Sequence, residues 1–131
     1  MDWVTNNSIE MLQKSLDYAW TKQRIIQENI ANAETPGYKA KYVTFEEQLQ
    51  RRLAGYNLNG SLALKSKVAG AIDNSHIRIH TSKDESTRLD GNNVNTDVEN
   101  VEMARTQLQY EYLVRQVTDQ FTRLRMVIEG K

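Results

Sequence analysis

Apolar positions in the first quarter of the chain recur every three or four residues, which places them along one face of a helix. They are Ile9, Leu12, Leu16, Ala19, Ile26, Ile30 and Ala33, with Gln23 as the polar break. Such a seam is typical of a helix that packs on another helix. We therefore predict a helix from about Ser8 to about Ala33, with a capping box formed by Asn7 and Glu10 at its start.

The end of this helix is marked by the segment Asn-Ile-Ala-Asn-Ala-Glu-Thr-Pro-Gly-Tyr-Lys, residues 29–39, which holds the only proline of the chain. A proline disfavours helical angles at the residue before it, here Thr35, and Pro36-Gly37 suits the two central positions of a type II turn. The helix is therefore predicted to end before Thr35. For Asn29 and Asn32 two interpretations stay open, because their side chains can cap the helix end or contact a neighbouring chain.

A second seam with the same spacing occupies the last quarter of the chain. It consists of Met103, Tyr110, Val114, Val117, Phe121, Leu124 and Ile128, with Gln107 as its polar break. Thr96 or Asp97 can serve as the N-terminal cap. We predict a helix from there to about Glu129, ending at Gly130.

The middle of the chain is richer in glycine and asparagine. Phe45 to Leu53 can form two helical turns, whereas Gly55, Gly60 and Gly70 indicate loops. Residues 76–80 alternate polar and apolar side chains like a short strand, and residues 90–93 form a turn signal.

These patterns predict a mainly α fold in which long N- and C-terminal helices form a coiled-coil-like pair. The irregular Gly/Asn-rich middle contains at most a short β-hairpin. The expected divisions are residues 1–34 for the N-terminal assembly helix, 35–96 for the turn, a short helix and the loop/β region, and 97–131 for the C-terminal assembly helix.

Some side chains near the turn and in the seams allow two interpretations. Tyr38, Tyr42 and Phe45 form either an aromatic patch for a neighbouring chain or part of the packing within the chain. Gln23 and Gln107 either set the register of a helix pair or face solvent.

Composition narrows the function. Seventeen basic and seventeen acidic residues cancel, so no net field attracts nucleic acid. The chain has no cysteine, no apolar run near the ~20 residues of a membrane span, and no signal-peptide pattern at its start. His76 and His80 are four residues apart, but on a strand this spacing does not suit zinc. No phosphate loop or nucleophile motif is present, so we predict neither an enzyme nor a cofactor, metal or small-molecule substrate.

Residues 29–39 resemble the N-terminal signature of the axial proteins of the bacterial flagellum, the rod and hook proteins. The segment Arg88 to Asp97 and the apolar pattern from Gln107 to Ile128 make the chain similar to the short proximal rod members of that family. The longer rod and hook members carry large inserted domains and a different C-terminal motif, which this chain lacks. The resemblance covers the whole chain.

The resemblance implies a structural subunit of the proximal rod, whose terminal helices polymerise into the drive shaft that transmits torque for motility. It implies contacts with further copies of itself, other rod proteins, the membrane-supramembrane ring and the export gate. It also implies a place in the basal body on the periplasmic side of the inner membrane, reached through type III export without a cleaved signal peptide.

The residues expected to carry assembly fall into two sets. The motif set is Asn29, Ile30, Ala31, Asn32, Thr35, Pro36, Gly37 and Tyr38, and the seam set is Leu12, Leu16, Ile26, Tyr110, Val114, Val117, Phe121, Leu124 and Ile128. The alternative function is a soluble helical adaptor or flagellar secretion chaperone, which would use the same seams in a closed dimer around a partner helix.

Overall fold

A computed structural model of the protein describes residues 2–45 and 62–130. In chain order the elements are helix α1 (Asp2–Ala31), strand β1 (Lys41–Thr44), helix α2 (Leu62–Asp73), strand β2 (Arg78–Thr81) and helix α3 (Thr96–Glu129). The fold is mainly helical, with long terminal helices and a small two-stranded sheet between them, as the sequence predicts.

Helices α1 and α3 pack against each other in antiparallel orientation. At one end of the pair, the Lys22 ammonium lies 3.0 Å from a carboxylate oxygen of Glu102. At the other end, Leu12 and Leu16 lie beside Val117 and Phe121. The first and last helices of the chain therefore form one two-helix layer.

Strands β1 and β2 pair antiparallel, with Lys41 opposite Thr81 and Thr44 opposite Arg78. The sheet is not a tight hairpin, because α2 lies between its strands in the sequence. Strand β2 starts at Arg78, two residues after the predicted start at His76.

The core lies on one side of α1, between this helix, the sheet and α2. It contains Tyr18, Ile25, Val43, Phe45, Ala71 and Ile72. Lys14 of α1 also fixes the end of α2, because its ammonium donates hydrogen bonds to the main-chain oxygens of Ile72 and Asp73, the last two residues of that helix, and of Ser75 just after it. A cation at this place complements the partial negative charge of a helix C-terminus.

Helix α2 corrects the prediction of a loop at Gly70, which lies inside it. Burial of the following residues Ala71 and Ile72 in the core outweighs the low helix propensity of this glycine. The predicted helical turns from residue 46 onward and the predicted loops at Gly55 and Gly60 lie outside the described residues.

The N-terminal ends of two helices, α1 and α3, differ from the prediction. Helix α1 begins at Asp2, so Asn7 and Glu10 lie within it and do not form a capping box. No glycine or proline interrupts residues 2–31, and an established helix propagates readily through such a sequence. Helix α3 is capped by Asn95, not by Thr96 or Asp97.

The Asn95 side-chain oxygen accepts hydrogen bonds from the main-chain N–H groups of Asp97 and Val98. The predicted end of α3 is confirmed, because Gly130 has a left-handed φ of 69° and its N–H bonds to the Met126 oxygen.

Candidate assembly site

The chain leaves α1 through the predicted type II turn. The Tyr38 N–H donates to the Thr35 oxygen at 3.3 Å, and Gly37 has a φ of 72°, as the third position of this turn requires. A Cβ atom added at Gly37 would meet no heavy atom within 4 Å. The requirement for glycine therefore comes from the backbone conformation and not from crowding.

Asn29 ties strand β1 to the end of α1. Its side chain is 1% exposed. The amide NH₂ donates to the Lys41 oxygen at 2.8 Å, and the amide oxygen accepts from the Lys41 N–H at 2.9 Å and from the Tyr38 hydroxyl at 3.2 Å. Asn29 thus acts as a strand partner for β1, a role that neither of the two interpretations anticipated.

Asn32 acts at the helix end, as the capping interpretation expects. Its amide NH₂ donates to the Glu28 oxygen at 2.8 Å, and its amide oxygen accepts from the Thr35 hydroxyl at 3.1 Å. Asn32 therefore helps the chain leave the helix toward the turn.

Asn92 connects the segment from Arg88 to Asp97 to the motif of residues 29–39. It is fully buried, and its amide NH₂ donates to the main-chain oxygens of Asn32 and Thr35 at 2.8 and 2.9 Å. Its amide oxygen accepts from the Val94 N–H at 2.8 Å. The sequence pattern marks the segment 88–97 but gives Asn92 no special role, because its partners lie about 60 positions earlier in the chain.

Arg88 and Asp90 complete this connection. The Arg88 guanidinium donates to the Ala33 oxygen at 2.6 Å and lies 3.0 Å from Asp90 and 3.4 Å from Glu34. The Gly37 N–H donates to the Asp90 main-chain oxygen at 2.7 Å. The turn and the segment before α3 therefore share both main-chain and side-chain hydrogen bonds.

Gly91 lies against Gly37, and its left-handed backbone conformation is what favours glycine there. Its φ is 77°, and a Cβ atom there would lie 3.6 Å from the Gly37 Cα. The Lys39 ammonium donates to the Gly91 oxygen at 2.7 Å. We call residues 29–41 and 88–95 together the joint, because they connect the end of α1, β1 and the start of α3.

The three aromatic residues after the turn have different surroundings. Phe45 is buried against Tyr18, with ring centroids 5.8 Å apart. Tyr38 is half-buried at Asn29. Tyr42 is exposed on the sheet and stacks on His80 with a centroid distance of 5.1 Å. Packing within the chain thus accounts for Phe45 and Tyr38.

The N-terminal seam faces α3 as predicted, with Ile26 buried and Leu12 and Leu16 half-buried.

The predicted C-terminal seam is correct at alternate positions only. Tyr110, Val117 and Leu124 are half-buried, whereas Val114, Phe121 and Ile128 are 42%, 58% and 83% exposed. Two seams with three-and-four spacing can be drawn along α3, and they share every other residue. The seam that packs against α1 is the one that contains Thr106 and Leu113. Of the two polar breaks, Gln107 is exposed and Gln23 is half-buried.

Thr106 lies fully buried in α3, and its hydroxyl has no hydrogen-bond partner among the described residues. Thr106→Val keeps the shape and removes the unpaired hydroxyl, so we expect the free energy of unfolding to rise by about 1 kcal/mol. Urea denaturation measures this change. The matched control is the exposed Thr118, whose hydroxyl bonds to the Val114 oxygen; Thr118→Val should give no such gain. A loss of stability in Thr106→Val would show that the hydroxyl has a partner.

The polar contact between the helices perturbs two carboxyl groups. The hydrogen bond from Lys22 lowers the pKa of Glu102. Burial raises the pKa of Glu99, and the neighbouring Glu102 adds to this increase. The negative charge on Glu102 therefore stabilises the packing of α1 against α3, whereas the negative charge on Glu99 destabilises it.

This difference predicts a pH effect. The pKa of Glu99 is higher in the folded chain than in the unfolded chain. The ionised carboxylate therefore lowers the free energy of unfolding at neutral pH, and this loss of stability disappears as the pH falls through the folded pKa and the group is protonated. Glu99→Gln should therefore raise the free energy of unfolding near neutral pH, and this gain should shrink on acidification. Urea denaturation at about pH 7 and about pH 4 tests this, with the exposed Glu111→Gln as the control. A gain that is equal at both pH values would contradict the assignment.

The described part of the chain contains no group of three or more His, Asp or Glu side chains placed to hold a metal ion. Within residues 2–45 and 62–130, no helix has the length and apolar character needed to cross a membrane.

Comparison with known proteins identifies the relatives of the chain. It is 34% identical over 125 residues to the flagellar basal body rod protein FlgB of Bacillus subtilis, covering 95% of each chain. It is 27% identical over 129 residues to FlgB of Salmonella typhimurium and 26% identical over 129 residues to FlgB of Escherichia coli, with 94% of each chain covered in both cases. No protein-family model matches the sequence.

The similarity over nearly the whole chain therefore identifies the protein as a component of the flagellar basal body rod. The chain belongs to the FlgB family of flagellar basal body rod proteins.

Proposed function

We propose that this protein is a structural subunit of the proximal rod, that α1 and α3 are its assembly elements, and that many copies polymerise into the shaft that transmits torque. The observation that carries the proposal is the large apolar surface left open on the paired helices. Val114 and Phe121 extend from α3 beside α1 without being covered by it. Burial of the remaining exposed area of each such side chain by a neighbour would contribute on the order of 1 kcal/mol.

Part of this surface is a groove between the two helices. We call it the open groove, and it is lined by Ile9, Leu12, Gln13, Leu16, Val117, Gln120 and Phe121. Its lining is mostly aliphatic and aromatic, and its polar members are uncharged. Such a surface suits a contact between protein chains.

The joint supports the torque-bearing part of the proposal. Asn29 holds β1 on α1, and Asn92 and Arg88 hold the segment before α3 on the end of α1. A force on one terminal helix therefore reaches the other through buried hydrogen bonds as well as through the helix interface. A stiff connection of this kind is what a shaft subunit needs.

The proposal includes the partners and the place. The partners are further copies, other rod proteins, the membrane-supramembrane ring and the export gate, with no nucleic acid and no small-molecule substrate. The place is the basal body on the periplasmic side of the inner membrane, reached without a cleaved signal peptide. We further propose that residues 1–34 and 97–131 carry assembly and that residues 35–96 connect them.

Phe121→Glu tests the assembly surface. We expect cells carrying it to lose swimming, because a carboxylate in the open groove would lose its hydration when a neighbour packs there. The free energy of unfolding of the purified protein should fall by only about 1 kcal/mol, since Phe121 is 58% exposed. The control is Thr122→Glu, one residue further on an exposed side of α3, which should preserve swimming.

Normal swimming of the Phe121→Glu strain, with the protein present in isolated basal bodies, would reject the groove as an assembly surface. The competing function, a helical adaptor or secretion chaperone, is not favoured by the three relatives described above, which are named as basal body rod proteins.

A further inference from the structure

Helix α3 carries a second apolar stripe that α1 leaves largely exposed, although Tyr112 at its end borders a cleft with Ser15 and Ala19 of α1. It consists of Val98, Val101, Leu108 and Tyr112, whose side chains are between 54% and 68% exposed. The spacing is that of a heptad seam in which Arg105 occupies one position. We call these four residues the outer stripe. They are as regularly spaced as the seam that packs on α1, yet none of them is buried.

The open groove lies on the side of the helix pair opposite the core. Trp20, one turn after Leu16, continues the groove along α1 and is 59% exposed. It follows the core residue Tyr18 by two positions, which corresponds to about 200° around a helix. Nothing in the described part of the chain covers this side.

The outer stripe and the open groove also lie on opposite sides of α3. Tyr112 of the stripe and Phe121 of the groove are nine residues apart, which corresponds to about 180° around the helix. One subunit therefore presents a projecting apolar stripe on one side and an apolar groove on the other. Two different complementary surfaces are the requirement for a head-to-tail contact that repeats without closing.

We propose that the outer stripe of one copy packs into the open groove of the next copy. This proposal rests on the proposed rod function and specifies the two surfaces that would carry it. The apolar side chains of a helix with three-and-four spacing can pack into the groove between two other helices, as the third helix of a three-helix bundle does.

Charge favours this arrangement over a symmetric dimer. Arg105 lies midway along the stripe, so a two-fold contact centred on it would bring the Arg105 side chains of both copies together. Like charges repel, and the exposed pairing of each Arg105 with its own Glu102 at 3.4 Å offsets this only in part. The groove instead presents Gln13 and Gln120 at its rim, with no cation among its lining residues. Asp17, exposed on α1 one turn from Gln13, can attract an arginine of the incoming stripe.

Engineered cysteines test this contact, because the natural chain has none. Leu108→Cys in the outer stripe is combined in one chain with Gln13→Cys or Leu16→Cys in the open groove, or with Trp20→Cys one turn beyond it. The control pairs Leu108→Cys with Arg78→Cys, which lies exposed on β2. Each variant is expressed in place of the natural protein, mild oxidant is added to whole cells, and isolated basal bodies are run on non-reducing gels.

We expect at least one stripe-and-groove variant to give a ladder of covalent multimers, because each copy would link to one neighbour on each side. The single-cysteine variants and the Arg78→Cys control should stay monomeric. A dimer in the single Leu108→Cys variant would overturn the proposal in favour of a symmetric contact. The absence of ladders from all three pairs would also overturn it.

The same preparations separate this inference from the proposed function. Swimming cells whose basal bodies contain the variant but show no ladder would leave the rod function intact and remove only the stripe-and-groove contact. Variants absent from the basal bodies of swimming cells would contradict the rod function itself. If Leu108→Cys stops swimming, Val101→Cys of the outer stripe replaces it and is scored by the same outcomes.

Discussion

Replacing Asn29 with aspartate is expected to lower the free energy of unfolding by about 3 kcal/mol or more. The aspartate has nearly the same shape, but it cannot donate to the Lys41 oxygen, and its charge would be buried at a site that is 1% exposed. Glu28 and Glu99 close by make a further negative charge there more unfavourable. Strand β1 would lose its attachment to α1.

Urea denaturation followed by circular dichroism measures this change. The matched control is Asn100→Asp, the same substitution at an exposed position of α3, which should alter the free energy of unfolding by about 0.5 kcal/mol or less. An Asn29→Asp protein as stable as the control would show that the Asn29 side chain does not hold β1 in solution.

Gly37→Val is expected to stop swimming and to destabilise the folded chain by about 2 kcal/mol. A β-branched residue strongly disfavours the φ of 72° at this position, so the turn would have to change. A changed turn would displace the Gly37 N–H from the Asp90 oxygen and break the joint between α1 and the segment before α3. The effect is purely conformational, since no atom blocks a side chain at Gly37.

The control for this prediction is Gly37→Asn, because asparagine tolerates left-handed angles much better than valine does. Swimming on soft agar and unfolding of the purified proteins should both rank the natural chain first, the asparagine variant close behind and the valine variant far below. Full motility of the Gly37→Val strain would sink the type II turn as a requirement for function.

The parts of the fold that follow from local chemistry could be predicted from the sequence. Three-and-four periodicity is a property of the helix itself, and it located both long helices. The Pro36-Gly37 pair fixes the angles of its own turn, and the turn appears where the sequence placed it. The family signature in residues 29–39 likewise led to relatives that the comparison confirmed.

The parts that depend on distant residues could not be predicted in this way. Asn29 has a strand as its partner, and Asn92 bonds to Asn32 and Thr35 from the far side of the middle segment. Helix α2 exists because its end packs into a core that no local pattern reveals.

The C-terminal seam shows the same limit within a single helix. Its spacing fits two registers, and only the position of α1 shows that Leu113 faces inward while Val114 and Phe121 remain open. The periodicity of the sequence thus located α3 correctly, but it could not assign each apolar position to the partner helix or to the free surface.

Electron cryotomography of basal bodies in a strain deleted for this gene, scored together with swimming, tests the central claim most directly. If the protein is an obligatory proximal rod subunit, the deletion strain should have an intact membrane ring without a rod above it and should not swim. The natural gene on a plasmid should restore both the rod and swimming. Intact rods in the deletion strain would contradict the claim, because a shaft cannot be complete without an obligatory subunit at its base.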